Sequence, residues 1–77
     1  METITKPVER VAVGDVVETE DGFTLFYMRV TDPVEMDHAV RVSGTDSWFV
    51  VRGEDPDSGE PGELYFAPGE VVEVLAA

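Results

Sequence analysis

The chain is a series of short valine-rich runs, each closed by glycine, proline or aspartate. Fourteen of its 77 residues are valine, whose branched β carbon favours strands over helices. No window of helical length keeps apolar side chains at helical spacing without a glycine or proline inside it. Turn signals recur at intervals of roughly 8–12 residues, which is typical of all-β sandwiches and barrels. The sequence therefore predicts an all-β fold.

The pattern places six strands, at residues 16–19, 23–30, 38–44, 47–52, 63–68 and 70–75. The longest run, FTLFYMRV, is apolar on both faces, which indicates a central strand. A flat sheet of this size would leave one apolar face in water, whereas closure into a barrel buries that face and removes the edges. We therefore predict one domain over residues 1–77, a small five- to six-stranded antiparallel SH3-like barrel, with an OB-like barrel as the second choice.

Three segments are expected to lie outside the strands. Residues 1–7 are predicted to form a loose N-terminal arm, and residues 31–37 a turn and loop around Pro33. Residues 53–62 are predicted to form an acidic loop, because the run from Gly53 to Glu63, GEDPDSGEPGE, holds five carboxylates, two prolines and three glycines in eleven residues. Like charges this close together favour an extended, solvated connection. We expect this loop to be flexible and to bind no ligand in an ordered site.

Two stretches resemble a known class of small barrel. VAVGDVVETEDG resembles the opening of many SH3-like barrels, where a V-x-V-G-D-x-V turn leads into the first long strand and a D-G hairpin. GELYFAPGEVVEVL resembles their closing strands, with P-G-E-x-V as the short turn. The resemblance covers about 25 residues, and its motifs are turn chemistry. It implies the fold and no activity, since such folds carry unrelated functions.

Charge excludes two classes of partner. Five basic and seventeen acidic side chains leave a formal charge of −12 at pH 7, which repels nucleic acid and anionic lipid. No apolar run approaches the roughly 20 residues that cross a bilayer, and METITKPVER does not read as a secretory signal. We expect a cytoplasmic protein that binds neither nucleic acid nor membrane directly.

The residue usage also indicates a source. The chain has no Asn or Gln, one Lys and one Ile. Asn, Lys and Ile depend on AT-rich codons, so this usage fits a high-GC genome, that of a bacterium or its phage. Genomic bias together with solubility is then one explanation of the acidity, and a functional role is the other.

The sequence contains no convincing pattern for a metal site or a cofactor site. The segment DPDSGE offers oxygen ligands for calcium, but its spacing does not fit the EF-hand. His38 lies beside three acids, yet it is the single His of the chain, and there is no Cys. The chain has no G-x-S-x-G motif and no glycine-rich phosphate loop. We predict no metal, no cofactor and no enzymatic activity.

The aromatic residues suggest a protein-binding surface. In SWFVV and LYF, adjacent aromatics lie on opposite faces of a strand. Trp48 and Tyr65 therefore point outward if Phe49 and Phe66 fill the barrel, or the reverse holds. Aromatic side chains anchor interfaces, although Trp48 and Tyr65 beneath the acidic loop would also make a satellite core. The predicted protein-binding residues are Trp48, Tyr65, Arg41, Arg52, Asp55 and Asp57.

Three functions remain open on this basis. The first is a non-enzymatic acidic protein-binding module, of which a homo-oligomer is one version. The second is an acidic nucleic-acid mimic that inhibits a basic DNA- or RNA-binding protein. The third is a small component of a phage particle or replication module. The mimic requires rows of carboxylates on one face, which the sequence does not specify.

Overall fold

The computed structural model describes residues 2–20, 22, 24–37 and 48–76. These residues form seven strands and one short 3-10 helix at Val8–Arg10. The strands are β1 (Thr3–Pro7), β2 (Val16–Glu20), β3 (Leu25–Val30), β4 (Glu35–Asp37), β5 (Trp48–Glu54), β6 (Pro61–Phe66) and β7 (Val71–Leu75). Among the described residues, no helix is long and apolar enough to span a bilayer.

All strands join one antiparallel sheet. The strands are ordered β1-β7-β2-β3-β5, and β5 carries two further neighbours. One edge of β5 pairs with β6 from Phe49 to Glu54, while the other edge pairs with β4 near Trp48 and with β3 near Glu54. The sheet curls into a half-barrel, which is compatible with a small SH3-like or OB-like barrel. The predicted all-β antiparallel fold class is confirmed.

Valine side chains from the inner face of the curl make the core. The alternation of each strand sends every second residue inward, and the largest buried cluster joins the strands to the 3-10 helix. Burying one such side chain stabilises the fold by roughly 1.5–3 kcal/mol. The members of this buried cluster are Val8, Val11, Val17, Met28, Val30, Val51, Val72 and Val74, with Phe49, Leu64 and Phe66 packed against the cluster.

Three predictions about the connections are wrong, and one lies outside the described residues. Thr3–Pro7 is not a loose arm, because it pairs with β7 in five-residue register. Residues 31–37 are not all loop, since Glu35–Asp37 forms β4 against β5. The acidic loop is shorter than predicted, because the β5–β6 ladder continues to the pair Glu54 and Pro61. The predicted strand at residues 38–44 falls on residues that the structure does not describe.

Candidate functional site

The predicted binding residues divide between two regions. Trp48 and Arg52 lie on β5, whereas Asp55 and Asp57 lie in the loop that follows it. Trp48 is six residues before the end of that strand, which separates its Cα from the loop by roughly 20 Å. Trp48 therefore does not form a satellite core beneath the acidic loop. Arg41 is outside the described residues.

The outer face of β5 and β6 carries the predicted aromatic pair. Trp48 and Arg52 share this face of β5 with Val50, and the register places Tyr65 directly opposite Val50. Phe49 and Phe66 point the other way and pack against the core. The tyrosine is 43% exposed, whereas Val50 is fully buried although it lies outside the core cluster.

Arg52 is engaged by acids of its own chain. Its guanidinium donates to Glu35 over 3.0 Å and to Glu63 over 3.4 Å. The hydroxyl of Tyr65 also donates to Glu63, over 2.7 Å. The hydrogen bond to Glu35, followed by that to Glu63, outweighs desolvation and raises the pKa of Arg52. Because these groups satisfy one another, this face offers a partner an exposed tyrosine ring and little uncompensated charge.

Trp48 contributes more to packing within the protein than to an exposed surface that a partner could contact. Its side chain is half-buried, and its indole nitrogen is buried without an acceptor among the described residues. A buried donor without an acceptor costs about 1–3 kcal/mol. Trp48 is thus a side chain held partly inside the protein, which is weaker support for an interface anchor than the exposed Tyr65.

The loop between β5 and β6 is a hydrogen-bonded turn and not the extended connection that its charges suggested. One carboxylate oxygen of Asp55 accepts the backbone N–H groups of Asp57 and Ser58, over 2.8 and 3.0 Å. The backbone of Asp55 also bonds to Glu60 and Gly59, over 2.8 Å each. The N–H groups of Ser58 and then Asp57 lower the pKa of Asp55. This acid therefore organises the turn, while Asp57 remains exposed.

A groove opens where β3 and β5 separate, and sequence reasoning missed it. The two strands pair only at Arg29 with Glu54 and at Val30 with Gly53. Beyond these pairs the first half of β3 runs beside β2 alone, among the strands that the structure describes. A groove of about 390 Å³ lies between β3 and the β5–β6 turn. We call it the β3 groove, and its apolar lining is Val16, Leu25, Phe26, Tyr27, Pro56 and Leu75.

A second recess lies beside this groove. Its volume is about 230 Å³, and it shares Phe26, Tyr27 and Asp55 with the β3 groove. Its floor includes Met28 and Leu64, whose side chains belong to the inner face of the sheet. The gap between β3 and the turn is therefore accessible from both faces of the sheet, and we call this second space the inner recess.

Exposed apolar side chains line the gap. Leu25 is 50% exposed and Phe26 is 47% exposed. As neighbours in β3 they point to opposite faces of the sheet, and both line the gap. Scattered apolar residues on a protein surface need no explanation, but exposed apolar residues that line a concave site indicate binding. The concave shape distinguishes this pair from the similarly exposed Ile4, which lies on β1 and lines neither space.

Carboxylates lie in the β3 groove and beside it. Asp55 and Asp57 line it from the β5–β6 turn. On β2, the register places Glu18 opposite Tyr27 and Glu20 opposite Leu25 on the outer face of the sheet, so these two acids are cross-strand neighbours of residues that line the groove. The result is an apolar strip, Leu25, Phe26 and Tyr27, with carboxylates on the turn and on β2 beside it. Such a surface suits a binding partner that carries both apolar and basic side chains.

No group of three or more potential metal ligands occurs within the described parts of the chain. The turn that the sequence offered as a calcium loop uses an oxygen of Asp55 to accept backbone N–H groups. His38 lies outside the described residues.

Comparisons with known proteins add no relative. No family model matches the chain, and neither does a curated protein or a solved structure. The resemblance to SH3-like barrels thus rests on the turn motifs alone and stays a prediction.

Proposed function

We propose that this chain is a non-enzymatic acidic protein-binding module and that the β3 groove is its binding site. The observation that carries the proposal is the apolar strip of Leu25, Phe26 and Tyr27 in an open concave site with acidic residues beside it. Concave sites with apolar walls and a few polar groups are where ligands bind most often. The proposal also places the protein in the cytoplasm of a high-GC bacterium or its phage.

The charge of the molecule favours a basic partner over a second copy. Each chain carries a formal charge of −12, so two copies repel each other, and the carboxylates at the groove increase this repulsion locally. A basic segment instead gains attraction and a faster encounter. The partner is accordingly a different protein with positive charge at its contact segment.

A patch of acids on β2 and β7 supports the nucleic-acid mimic as the second candidate. Glu18 lies directly opposite Glu73, and Glu20 follows two residues after Glu18 on the same face. Glu20 is about 6.6 Å from Glu18 along β2, whereas Glu73 lies beside Glu18 across the ladder, so the three acids make a compact acidic patch. A mimic would bind through this patch, whereas the module binds through the apolar strip.

The two candidates can be separated with defined peptides. A random peptide library is selected against the immobilised protein, and the affinity of the enriched peptides is measured by titration calorimetry. We expect peptides that combine Lys or Arg with apolar residues. Phe26→Ala should weaken binding at least tenfold, which is about 1.4 kcal/mol. The matched control is Tyr65→Ala, which removes a similarly exposed aromatic ring from the other surface and should leave the affinity within about twofold.

Other outcomes identify the other surfaces. Loss of binding in Tyr65→Ala but not in Phe26→Ala would assign the site to the outer face of β5 and β6. Loss only in the triple variant E18Q, E20Q and E73Q, with purely basic peptides enriched, would support the mimic instead. Either result would overturn the proposed site.

A further inference from the structure

We infer that the segment bound in the β3 groove adds to the sheet as an extended strand along the open edge of β3 at Leu25 and Tyr27. The inference rests on the proposed function and specifies how the partner is recognised. Addition of a strand lets the backbone supply affinity while alternate side chains supply specificity. The occupant is a basic, extended segment of another protein.

Backbone hydrogen bonds show which groups of β3 face the gap. The N–H of Val30 donates to the backbone carbonyl of Asp15, over 2.8 Å, and the carbonyl of Val30 accepts from the N–H of Gly14, over 2.9 Å. The backbone groups of Val30 therefore face the β2 side. The N–H of Thr31 donates to Arg52, over 3.0 Å, so the next residue faces β5. Successive residues of a strand alternate in this way.

The same alternation assigns the first half of β3. Phe26 and Met28 turn their backbone groups toward β2, as Val30 does, whereas Leu25 and Tyr27 turn theirs toward the gap. No described strand pairs with β3 beside Leu25 and Tyr27. Their two N–H and two carbonyl groups form a short template for another strand.

The acids around the gap determine which strand can bind there. An open edge invites pairing with any extended chain, and charged side chains beside it are a common protection. Here Asp57 on the turn and Glu18 and Glu20 on β2 are all negative. They repel a second copy of this acidic chain and attract a segment rich in Lys or Arg.

The two faces of the gap predict the pattern of the bound segment. Alternate side chains of an added strand point to opposite faces of the sheet. One set would enter the inner recess beside Phe26, Met28 and Leu64, which favours apolar residues. The other set would lie in the β3 groove near Asp57, which favours basic residues. The segment should therefore alternate apolar and basic residues.

N-methylation of a selected peptide tests the backbone pairing. Each residue of the tightest peptide is N-methylated in turn, and the affinity of each variant is measured by calorimetry. A methyl group on an N–H that pairs with β3 removes the hydrogen bond and obstructs the strand, so we expect losses of at least tenfold at alternate positions and small changes between them. A flat profile with a peptide that still requires Phe26 would overturn strand addition and leave the proposed binding site standing.

Leu25→Pro tests the same edge from the side of the protein. Proline removes one N–H, and at Leu25 that N–H faces the gap rather than β2, so the β2–β3 ladder is retained. We expect Leu25→Pro to bind the peptide at least tenfold more weakly than Leu25→Ala, which loses the same side chain beyond Cβ and keeps the N–H. Equal affinities of the two folded variants would contradict the inference.

Amide exchange of the unsubstituted protein supplies a readout that needs no variant to fold. The amide of Tyr27 should exchange rapidly in the free chain and slowly in the peptide complex, while the amide of Met28 is protected in both. Unchanged exchange at Tyr27 on peptide binding would overturn strand addition. Protection of Tyr27 in the free protein that increases with protein concentration, together with a dimer in sedimentation, would assign the edge to a second copy instead.

Discussion

Gly53 of β5 lies against Met28 of β3 so closely that a β carbon at residue 53 would lie 2.8 Å from Cγ of Met28. The same β carbon would overlap the carbonyl oxygen of Arg29. This is the point at which β3 and β5 pair before they separate. The absence of a side chain at Gly53 therefore lets the two strands meet here, and the β3 groove begins at this contact.

Gly53→Ala should destabilise the protein substantially. The nearest atoms belong to the backbone of Arg29, which cannot move aside as a flexible side chain could. Forcing an extra methyl group into such a site costs about 1–3 kcal/mol, and we expect the upper end of that range. The free energy of unfolding is measured by urea denaturation.

Gly62→Ala is the matched control for this substitution. Gly62 is the partner of Gly53 across the β5–β6 ladder, and a β carbon there would meet Sδ of Met28 at an ordinary 3.6 Å. We expect a change below about 1 kcal/mol. Equal losses in the two variants would show that the close approach of β3 and β5 is not what requires glycine at residue 53.

The sequence predicted the fold class because the strand signals are local. Valine-rich alternation and turn residues depend on neighbours in the chain, and β2, β3, β5, β6 and β7 all lie at or near the predicted positions. β1 was missed since TITKP has no apolar alternation, and its strand conformation comes from pairing with β7, about seventy residues away in sequence. Long-range pairing of this kind leaves no local pattern.

The candidate site was only partly predictable. The period-two rule correctly separated Tyr65 from the inward-facing Phe66. The apolar character of both faces in FTLFYMRV was interpreted as a central strand, whereas half of β3 pairs with no second strand among the described residues and lies at an open gap. An apolar residue in a groove and one in a core look alike in a sequence, so the β3 groove required the sheet topology.

The ion pair between Lys6 and Asp15 should stabilise the fold at neutral pH. Nζ of Lys6 lies 2.8 Å from Oδ2 of Asp15, which also accepts the N–H of Ala12 over 3.0 Å. Burial raises the pKa of Asp15, but these hydrogen bonds and the charge of Lys6 outweigh it, so the pKa is lowered overall. We expect Asp15→Asn to lose about 1 kcal/mol of unfolding free energy near neutral pH.

The pH dependence of this loss has a definite sign. Because the folded pKa of Asp15 is below its unfolded value of about 3.8, the stabilisation is complete above that value and disappears as pH falls through the folded pKa. The difference between wild type and Asp15→Asn in urea denaturation should therefore shrink on acidification below about pH 4. Asp57→Asn removes an exposed charge and should show no such loss. A difference that persists at low pH would exclude the ion pair as its cause.

The buried indole nitrogen of Trp48 predicts that the fold tolerates the substitution of this residue by phenylalanine. Trp48→Phe removes a donor that has no acceptor among the described residues, and this gain offsets the lost ring area. We expect an unfolding free energy within about 1 kcal/mol of wild type, whereas Trp48→Ala, which also loses the packing, should lose about 2 kcal/mol. A large loss in Trp48→Phe, measured by thermal or urea unfolding, would mean that the indole N–H does have a hydrogen-bond partner.

The Glu18–Glu73 pair predicts that removing an acid raises stability. The two carboxylates lie directly opposite each other in the β2–β7 ladder, and like charges in this position destabilise a sheet by some tenths of a kcal/mol up to about 1 kcal/mol. Glu18→Gln should therefore raise the melting temperature more than Glu20→Gln, whose cross-strand neighbour is Leu25.

Added salt should also raise the melting temperature of the wild type, because it screens the −12 charge. The exposed ion pairs that salt weakens, such as Arg29 with Glu54, contribute little in comparison. Salt should also reduce the difference in melting temperature between Glu18→Gln and Glu20→Gln. A wild-type melting temperature that falls with salt would show that self-repulsion does not limit the stability of this fold.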